Sequence, residues 1–406
     1  MISSLMPTYA RLPVRFVRGE GVWLWDTEGK KYLDALSGIG VCSLGHAHPA
    51  VAKAICDQAE HLLHTSNLYE IPNQLQLADT LIRLLNPSDS NSSNTENAAY
   101  SWNSFFCNSG AEANEAAIKI ARMYGHRKGI TSPEIIVAEG SFHGRTLAAL
   151  TATGNPKIQV GFDPLVPGFS RVPFDDLAAI SAIAGDNPNV VAVLIEPIQG
   201  EGGVVVPDDG YLQAVRDICD ERDWLMMLDE VQTGVGRTGR WFAWQYSGAM
   251  PDVMMLAKAL GNGVPIGACL ARGRAANLLT PGSHGSTFGG NPLVCRAALA
   301  VLDVMETESL PEHADRMGSD LRLALTDALR TVKVVSRIRG KGLMIGIEFN
   351  RPCGDLVGKA LARGLLVNVT AGNVLRLLPP LIIQKQEVEQ IVQTISQLVH
   401  EFFGGK

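Results

Sequence analysis

The stretch LMMLDEVQTG at residues 225–234 decides the fold, together with VMMLAKALGNG at residues 253–263. Each stretch opens with four consecutive apolar residues and then reaches a charged side chain and a glycine-containing turn. Short, wholly apolar runs of this kind are typical of strands that are buried on both faces of a sheet. We therefore predict two neighbouring buried strands, with Asp229 at the end of one and Lys258 at the end of the other.

Further apolar runs of similar length lie on either side of this pair, at residues 135–138, 190–195 and 266–271. A helical pattern at residues 211–222 directly precedes the 225–234 stretch. Strands that alternate with helices indicate a layered α/β domain. We predict an α/β fold whose large domain contains a mixed, mostly parallel sheet covered by helices.

The last third of the chain has a different pattern. The predicted elements are helices at 291–308 and 311–329, strands at 342–349, 365–369 and 374–377, and a last helix that ends near Phe402. Short strand-like pieces also occur at 23–25 and 32–33. We therefore expect an N-terminal segment (1–45) that packs with a smaller α+β domain (291–406), and a large domain (46–290) between them.

Composition narrows the class of protein. Hydrophobic residues make up 46% of the 406 residues, and the formal net charge of −6 argues against a nucleic-acid partner held by a broad basic face. No apolar run approaches the ~18 residues of a membrane span. The seven cysteines are widely spaced without a CxxC motif, which indicates reduced, cytoplasmic thiols and no metal site. The Ser/Asn-rich stretch at 87–97 is predicted to be a surface loop.

Asp229 and Lys258 are the strongest chemical signal. A carboxylate at the end of a buried strand lies where α/β sheets place ligands, and it could hold a cationic ring nitrogen or a metal ion. A buried lysine suits Schiff-base chemistry, although most lysines are solvated surface residues. A carboxylate for a pyridinium nitrogen and a lysine for a Schiff base are together what pyridoxal phosphate needs.

Two glycine-containing turns have to be weighed as phosphate sites. Ser109, Gly110 and Ala111 open a helix, and its free amides could bind an anion, although an ordinary capped helix would look similar. The GVGRTG run at 234–239 has the spacing of a dinucleotide fingerprint. That reading is rejected because the run does not follow its strand directly, and the residues after it start a helix poorly.

Six motifs in order resemble the class-III aminotransferases of the pyridoxal-phosphate fold type I superfamily. The resemblance extends from LGHAHP at 44–49 to Arg376. The motifs are SGAEANEAAIKIAR (109–122), FHGRT (142–146), EPIQGEGG (196–203), LDEVQTGVGRTG (228–239), the turn at Lys258, and HGSTFGGNPL (284–293). The resemblance implies fold type I and pyridoxal 5′-phosphate as the cofactor.

The resemblance also implies roles at the cofactor. Lys258 would bind it covalently and later move a proton, and Asp229 would pair with its ring nitrogen. Thr287 would reach the phosphate of the partner subunit, which implies a homodimer. The implied contacts are Ser109, Gly110 and Ala111 at the phosphate, Phe142 and Val231 on the ring faces, Gln232 at the ring hydroxyl, and Asp229, Glu230, Lys258 and Thr287.

For substrates, the resemblance implies transfer of the δ-amino group of N2-acetylornithine to 2-oxoglutarate, a step of arginine biosynthesis. The products would be N-acetylglutamate 5-semialdehyde and glutamate. Arg376 would bind the α-carboxylate of glutamate. Arg145 would bind its far carboxylate, and also the α-carboxylate of acetylornithine. Glu201 would pair with Arg376 and swing away for glutamate, and Ser286 would lie close to the substrate.

Several alternatives stay open. N-succinylornithine, N-succinyl-diaminopimelate, ornithine and 4-aminobutyrate are donors of close relatives, although Ile39 stands where the ornithine enzymes have a tyrosine. A non-catalytic protein of the same fold is disfavoured because Lys258 and Asp229 are both present. A metal enzyme that uses Asp229 and Glu230 is disfavoured because no histidine or cysteine cluster lies nearby in the sequence.

Overall fold

The structure is a computed structural model that describes residues 4–85 and 102–404. Its strands, in chain order, are β1 (Phe16–Glu20), β2 (Trp23–Asp26), β3 (Lys31–Asp34), β4 (Trp102–Cys107), β5 (Glu134–Ala138), β6 (Phe169–Val172), β7 (Val190–Ile195), β8 (Leu225–Asp229), β9 (Val253–Leu256), β10 (Gly267–Arg272), β11 (Val335–Lys341), β12 (Met344–Phe349), β13 (Leu365–Leu366), β14 (Asn368–Thr370) and β15 (Val374–Leu377).

Its helices, in chain order, are α1 (Ser37–Gly40), α2 (Pro49–Ala59), α3 (Pro72–Leu85), α4 (Gly110–Arg127), α5 (Leu147–Ala152), α6 (Leu177–Asp186), α7 (Tyr211–Glu221), α8 (Pro292–Thr307), α9 (Leu310–Leu329), α10 (Leu356–Ala362) and α11 (Lys385–Gly404). The predicted Ser/Asn-rich loop at 87–97 lies outside the described residues. Among the helices within 4–85 and 102–404, none combines the length and apolarity needed to cross a membrane.

A seven-stranded sheet in the order β4-β10-β9-β8-β7-β5-β6 forms the centre of the large domain. Strands β6, β5, β7, β8 and β9 run parallel, whereas β10 is antiparallel to both β9 and β4. The prediction of a mixed, mostly parallel sheet is therefore confirmed. The edge strands β4 and β6 were not predicted, because polar residues interrupt their sequences WNSFFC and FSRV.

The two faces of this sheet have separate apolar cores. On one face, α4 buries Ala117 and Ile120 against Ile135 of β5 and Leu194 of β7. The opposite face belongs to a larger core that includes Val215 of α7. Coverage on both faces explains why β7, with the sequence VVAVLI, is apolar and buried at every position.

Two smaller sheets flank the large one. The first has the order β1-β2-β3-β13, and β3 pairs in parallel with β13, so N-terminal and C-terminal segments share a sheet. The second is antiparallel, in the order β11-β12-β15-β14. The predicted strand at 365–369 is divided between the two sheets as β13 and β14. The domain boundaries at residues 45 and 290 remain a prediction.

Candidate active site

A cavity of about 390 Å³ lies where β8 and β9 end, and most of the predicted site residues line it. Asp229 is the last residue of β8, and Lys258 follows β9, the adjacent strand. Ligands of α/β sheets bind at this end of parallel strands. The predicted residues that line the cavity are Ser109, Gly110, Ala111, Phe142, Arg145, Glu201, Asp229, Val231, Gln232 and Lys258.

The Asp229 carboxylate is buried and held by three donors. Its Oδ2 accepts hydrogen bonds from Asn114 Nδ2 and His143 Nδ1, each at 2.8 Å, and its Oδ1 accepts one from the Val231 amide at 3.0 Å. Sequence reasoning did not assign Asn114 or His143 to this site. A signal existed for Asn114, because it is a polar residue among the buried alanines of α4. Three donors fix the orientation of the carboxylate.

Lys258 begins a single helical turn directly after β9, with a left-handed φ of 45°. Burial lowers the pKa of Lys258, and the Arg376 charge adds to this, while the Asp229, Glu201 and Glu196 carboxylates oppose it. Within the described residues, no hydrogen bond or ion pair engages its amine. A lowered pKa increases the share of neutral amine, which is the nucleophilic form.

The start of α4 forms an anion-binding cradle. Ser109 caps the helix by accepting a hydrogen bond from the Glu112 amide at 3.2 Å. The amides of Gly110 and Ala111 lie in the first helical turn, where no intrahelical acceptor exists. A Cβ on residue 110 would lie 2.7 Å from Val231 Cγ1, so glycine alone lets Val231 pack against the helix start. These donors and the helix dipole suit a phosphate.

Glu196, after β7, is a further cavity residue that the sequence did not assign. Its Oε2 accepts a hydrogen bond from the Phe142 amide at 3.1 Å and its Oε1 one from the Gly200 amide at 3.0 Å. Burial raises the pKa of Glu196 to about 7. The side chain therefore ties the segment that carries Phe142 to the segment that leads to Glu201.

Arg376 lies behind the cavity wall and is fully buried. Its Nη1 pairs with Glu201 Oε1 at 2.6 Å and donates to Gln232 Oε1 at 3.3 Å, while its Nε donates to Asn368 Oδ1 at 3.2 Å. Its Nη2 is buried and has no hydrogen-bond partner among the described residues. The Glu201 side chain is 37% exposed, whereas Arg376 is fully buried. The buried guanidinium is thus a site for a carboxylate, and in this structure the Glu201 carboxylate is paired with it.

Glu230, which the resemblance implies as a cofactor contact, is not among the residues that line the cavity. Its Oε1 accepts a hydrogen bond from the Trp244 amide at 2.9 Å, and its Oε2 accepts the Thr233 hydroxyl. Successive side chains at the end of a strand point to opposite sides, so Asp229 and Glu230 cannot both reach the cavity.

Ser286 and Thr287 also lie outside the cavity lining. Ser286 Oγ accepts a hydrogen bond from Nδ2 of Asn108, a cavity residue, at 3.2 Å. Thr287 is exposed. Over residues 4–85 and 102–404, no group of three or more His, Cys, Asp or Glu side chains could hold a metal ion.

Glu230 supports a prediction about stability and pH. Burial raises its pKa from 4.5 to about 7. The folded state therefore keeps a proton that the unfolded state releases between these values, and stability falls as pH rises through this window. Glu230→Gln removes this dependence, which is worth about 3 kcal/mol. The decrease in melting temperature from pH 5 to pH 8 should be smaller in this variant than in the parent.

The control is Glu389→Gln, at an exposed position on α11. In this control variant, the decrease in melting temperature from pH 5 to pH 8 should be the same as in the parent. If the melting temperature decreased equally in Glu230→Gln and in the parent, Glu230 would be charged in the folded protein over the whole range from pH 5 to pH 8.

Comparisons with known proteins agree with this geometry. The family model described as aminotransferase class-III matches residues 5–399. An acetylornithine aminotransferase from Nitrosomonas europaea is 57% identical over 405 residues, which cover 100% of both chains.

Two solved structures have the same fold over almost the whole chain. An ornithine aminotransferase from Toxoplasma gondii, with partial occupancy of PLP at its active site, has a TM-score of 0.90 at 35% identity and covers 98% of this chain and 92% of its own. An acetylornithine aminotransferase from Elizabethkingia anophelis has a TM-score of 0.85 at 35% identity, covering 98% and 96%. The fold class expected from the sequence is confirmed.

Proposed function

This chain belongs to the class-III aminotransferase family, and from that premise we propose that it transfers the δ-amino group of N2-acetylornithine to 2-oxoglutarate. The products are N-acetylglutamate 5-semialdehyde and glutamate, and the pathway is arginine biosynthesis. The observation that carries the proposal is Arg376, which is buried, has an unpartnered Nη2 within the described residues, and is paired with the partly exposed Glu201.

The cavity residues fit pyridoxal 5′-phosphate. The Gly110 and Ala111 amides with Ser109 would hold the phosphate, and Asp229 would hold the ring nitrogen, because its carboxylate is already oriented by three donors. Phe142 and Val231 would cover the ring. Gln232 would meet the ring hydroxyl, although its Oε1 also faces Arg376. When bound, this cofactor withdraws electrons from the substrate carbon next to its nitrogen.

Lys258 is the residue we propose as the general base and acid. Its amine lies at the cavity without a described partner, and burial lowers its pKa, which increases the share of the neutral amine that can accept a proton. Asp229 would hold the ring nitrogen of the bound cofactor in its charged form. His143, in turn, positions Asp229 through the 2.8 Å hydrogen bond from its Nδ1.

Two arginines let one pocket accept two substrates. Arg145 lines the cavity and is exposed, so it can bind a carboxylate of either substrate. Acetylornithine presents an uncharged chain to Arg376, which then stays paired with Glu201, since a buried unpaired guanidinium is costly. The α-carboxylate of glutamate or 2-oxoglutarate replaces Glu201. Ser286 lies one hydrogen bond behind the cavity residue Asn108 and is a weaker candidate for substrate contact.

The identity of the amine donor is the most specific part of the proposal. The relative with 57% identity is named for acetylornithine, whereas the neighbour from Toxoplasma gondii is named for ornithine. Ile39 is 39% exposed and is not among the cavity residues, whereas Val41 is. The argument from Ile39 against ornithine therefore needs a test, and ornithine is the second candidate.

Isotope transfer tests the reaction. The holoenzyme is incubated with 2-oxoglutarate and N2-acetylornithine that carries nitrogen-15 at either the δ or the α position. We expect labelled glutamate from the δ-labelled donor alone. Label in glutamate from the α-labelled donor, or none from either, would contradict the proposal.

We also propose a homodimer in which Thr287 reaches the cofactor of the partner subunit. In the described part of the chain, apolar side chains are exposed beside Thr287 at Leu68 (88%), Tyr69 (69%) and Phe288 (61%). Asn67 joins the two segments through hydrogen bonds to the Ser286 and Gly289 carbonyls at 3.1 and 3.0 Å. Exposed apolar clusters of this kind mark protein interfaces.

The interface can be tested with a matched pair of variants. Leu68→Asp places a charge in the apolar cluster and should shift the protein from dimer to monomer and weaken cofactor binding. Leu323→Asp, at a residue on α9 that is 71% exposed, should change neither. Sedimentation and cofactor titration measure both effects. A fully dimeric Leu68→Asp variant would exclude this surface as the interface.

The free cysteines support a reducing compartment. All seven cysteines are unpaired, including five that are buried. Structures without disulfides are typical of the cytoplasm, where thiols stay reduced. We therefore propose that the enzyme acts in the cytoplasm, on small-molecule substrates.

A further inference from the structure

The short helix α5 begins two residues after Arg145, and it has no capping side chain of its own. Its N-cap residue is Thr146, whose side chain accepts no hydrogen bond from the helix. The first amides of a helix have no acceptor within it, and a side chain at the N-cap normally serves the second or third of them. In α5 these are the amides of Ala148 and Ala149, so their acceptor has to come from another part of the fold.

Glu115 of α4 provides this acceptor. Its Oε1 accepts hydrogen bonds from the Ala148 and Ala149 amides, each at 3.1 Å, and from the Thr146 hydroxyl at 2.6 Å. The helix dipole adds to the attraction, because negative charge is favoured at the start of a helix. A carboxylate on α4 therefore caps α5, although the residues that it holds lie 31 to 34 positions further along the chain.

Arg145 lies in the segment that this cap holds in place. Segment 142–146 connects the cavity residue Phe142 to α5, and it runs against the start of α4, since a Cβ on Gly144 would lie 2.7 Å from Ala111 Cβ. The Arg145 Cζ lies 5.7 Å from the centre of the Phe142 ring. Within the described part of the chain, the guanidinium makes no hydrogen bond or ion pair. The position of Arg145 is therefore set mainly by the backbone that carries it.

Glu115 does not itself line the cavity, so its effect on a substrate has to pass through this backbone. The neighbouring carboxylate of Glu112 is engaged elsewhere, because its Oε2 accepts hydrogen bonds from the amide and the Nδ2 of Asn108, at 2.5 and 2.9 Å. Both glutamates lie in the first two turns of α4, the helix that starts with the anion-binding cradle. Helix α4 thus relates the position of Arg145 to the position of the cradle.

We propose that Glu115 is a positioning residue, which sets the reach of Arg145 into the cavity by capping α5. This role rests on the proposed function, in which Arg145 binds the far carboxylate of 2-oxoglutarate. Without the cap, two amides lose their acceptor, and the start of α5 no longer holds the Arg145 backbone at a fixed distance from the cradle. A guanidinium binds a carboxylate well only in a defined geometry. Loss of the cap therefore weakens the use of this one carboxylate and leaves the other substrate contacts intact.

Two acceptor acids isolate that interaction. 2-Oxopentanoate has the chain length of 2-oxoglutarate but carries a methyl group in place of the far carboxylate. The holoenzyme with its cofactor in the amino form is mixed with each acid, and the ratio of the two second-order rate constants measures how well the far carboxylate is bound. We expect Glu115→Asp to lower this ratio about tenfold, because its shorter side chain does not reach the three donors. Glu115→Gln, whose carbonyl oxygen does reach them, should stay within about twofold of the parent.

Two further variants are controls. Arg145→Ala should remove most of the preference for 2-oxoglutarate, because it deletes the guanidinium itself. Asp176→Ala removes a comparable cap, since Asp176 Oδ1 accepts the Ala179 amide at 2.9 Å at the start of α6. No residue of α6 lines the cavity, so the ratio should equal that of the parent. A general loss of folded protein lowers both rate constants together and leaves their ratio unchanged, whereas a displaced Arg145 changes the ratio.

The outcomes separate the role of Glu115 from the proposed function. A Glu115→Asp variant with the ratio of the parent, or a Glu115→Gln variant that loses as much as Glu115→Asp, would overturn the capping role. An equal loss in Asp176→Ala would also overturn it, because any missing cap would then have this effect. An Arg145→Ala variant that keeps the preference for 2-oxoglutarate would instead contradict the proposed function, since Arg145 would not bind this carboxylate.

Discussion

Lys258→Ala abolishes transamination and removes the visible absorbance of the bound cofactor. Among the described residues, Lys258 is the one lysine of the cavity lining, and burial, together with the Arg376 charge, lowers its pKa and so increases the share of neutral amine. Its loss removes both the covalent anchor and the proton carrier, so we expect turnover to fall by more than about 10³-fold. Absorbance spectra and steady-state assays of the purified variant measure the two effects.

Lys53→Ala is the matched control. Lys53 lies on α2, exposed and paired with Asp57 at 2.6 Å, so its removal should leave both the absorbance and the turnover unchanged. A Lys258→Ala variant that is yellow and active would refute the assignment of Lys258. Thermal melting of the three proteins shows whether any loss arises from unfolding.

Arg376→Ala should affect one half-reaction far more than the other. The half that uses 2-oxoglutarate needs Arg376 to bind the α-carboxylate, and a charge-assisted pair is worth about 1.5–3 kcal/mol, so this half should slow by about 10²-fold. The half that uses acetylornithine leaves Arg376 paired with Glu201 and should change little. Rapid mixing of each substrate with the appropriate cofactor form measures the two rates separately.

Arg145→Ala provides the contrast. Arg145 lines the cavity, and we propose that it binds a carboxylate of each substrate, so both half-reactions should slow. The comparison is internal, because each variant reports two rates from one preparation. Equal losses in both halves for Arg376→Ala would refute the exchange between Glu201 and the substrate carboxylate.

The sequence predicted the centre of the large sheet better than its edges. Strands β7, β8 and β9 are apolar except for Asp229 at the end of β8, because helices cover both faces of the sheet, and this pattern is visible without any tertiary information. Strands β4 and β6 lie at the two edges, where polar residues are tolerated, and neither was predicted. The antiparallel direction of β10 depends on which strands it joins, and its residues contain no signal for it.

The sequence predicted the positions of the two residues that carry the central chemistry of the site. Asp229 and Lys258 follow recognisable strands, so their positions could be inferred from the sequence. The partners of Asp229 could not, because Asn114 and His143 are 115 and 86 residues away along the chain. Glu230 follows Asp229 in the same motif, but it is not among the residues that line the cavity.

The GVGRTG run at 234–239, which we rejected as a dinucleotide fingerprint, has a structural role. Arg237 within it is fully buried and donates to the Leu343 carbonyl at 3.1 Å, the Pro379 carbonyl at 2.5 Å and Ser43 Oγ at 3.2 Å. Gly236 adopts a left-handed φ of 84°, and a Cβ there would lie 2.4 Å from Met305 Cε. Through these hydrogen bonds, the run connects the large domain to the N-terminal and C-terminal segments. The spacing of the motif alone does not predict this role.

The identity of the amine donor is the central claim, and a single-turnover comparison tests it most directly. The holoenzyme is mixed in parallel with N2-acetylornithine, ornithine, N-succinylornithine, N-succinyl-diaminopimelate and 4-aminobutyrate, without 2-oxoglutarate. The change in cofactor absorbance gives each rate of amino-group transfer. We predict that acetylornithine reacts fastest, by roughly tenfold or more over ornithine, which is the scale that one differing substrate group provides. Fast transfer from ornithine or another donor, with slow transfer from acetylornithine, would contradict the assigned substrate.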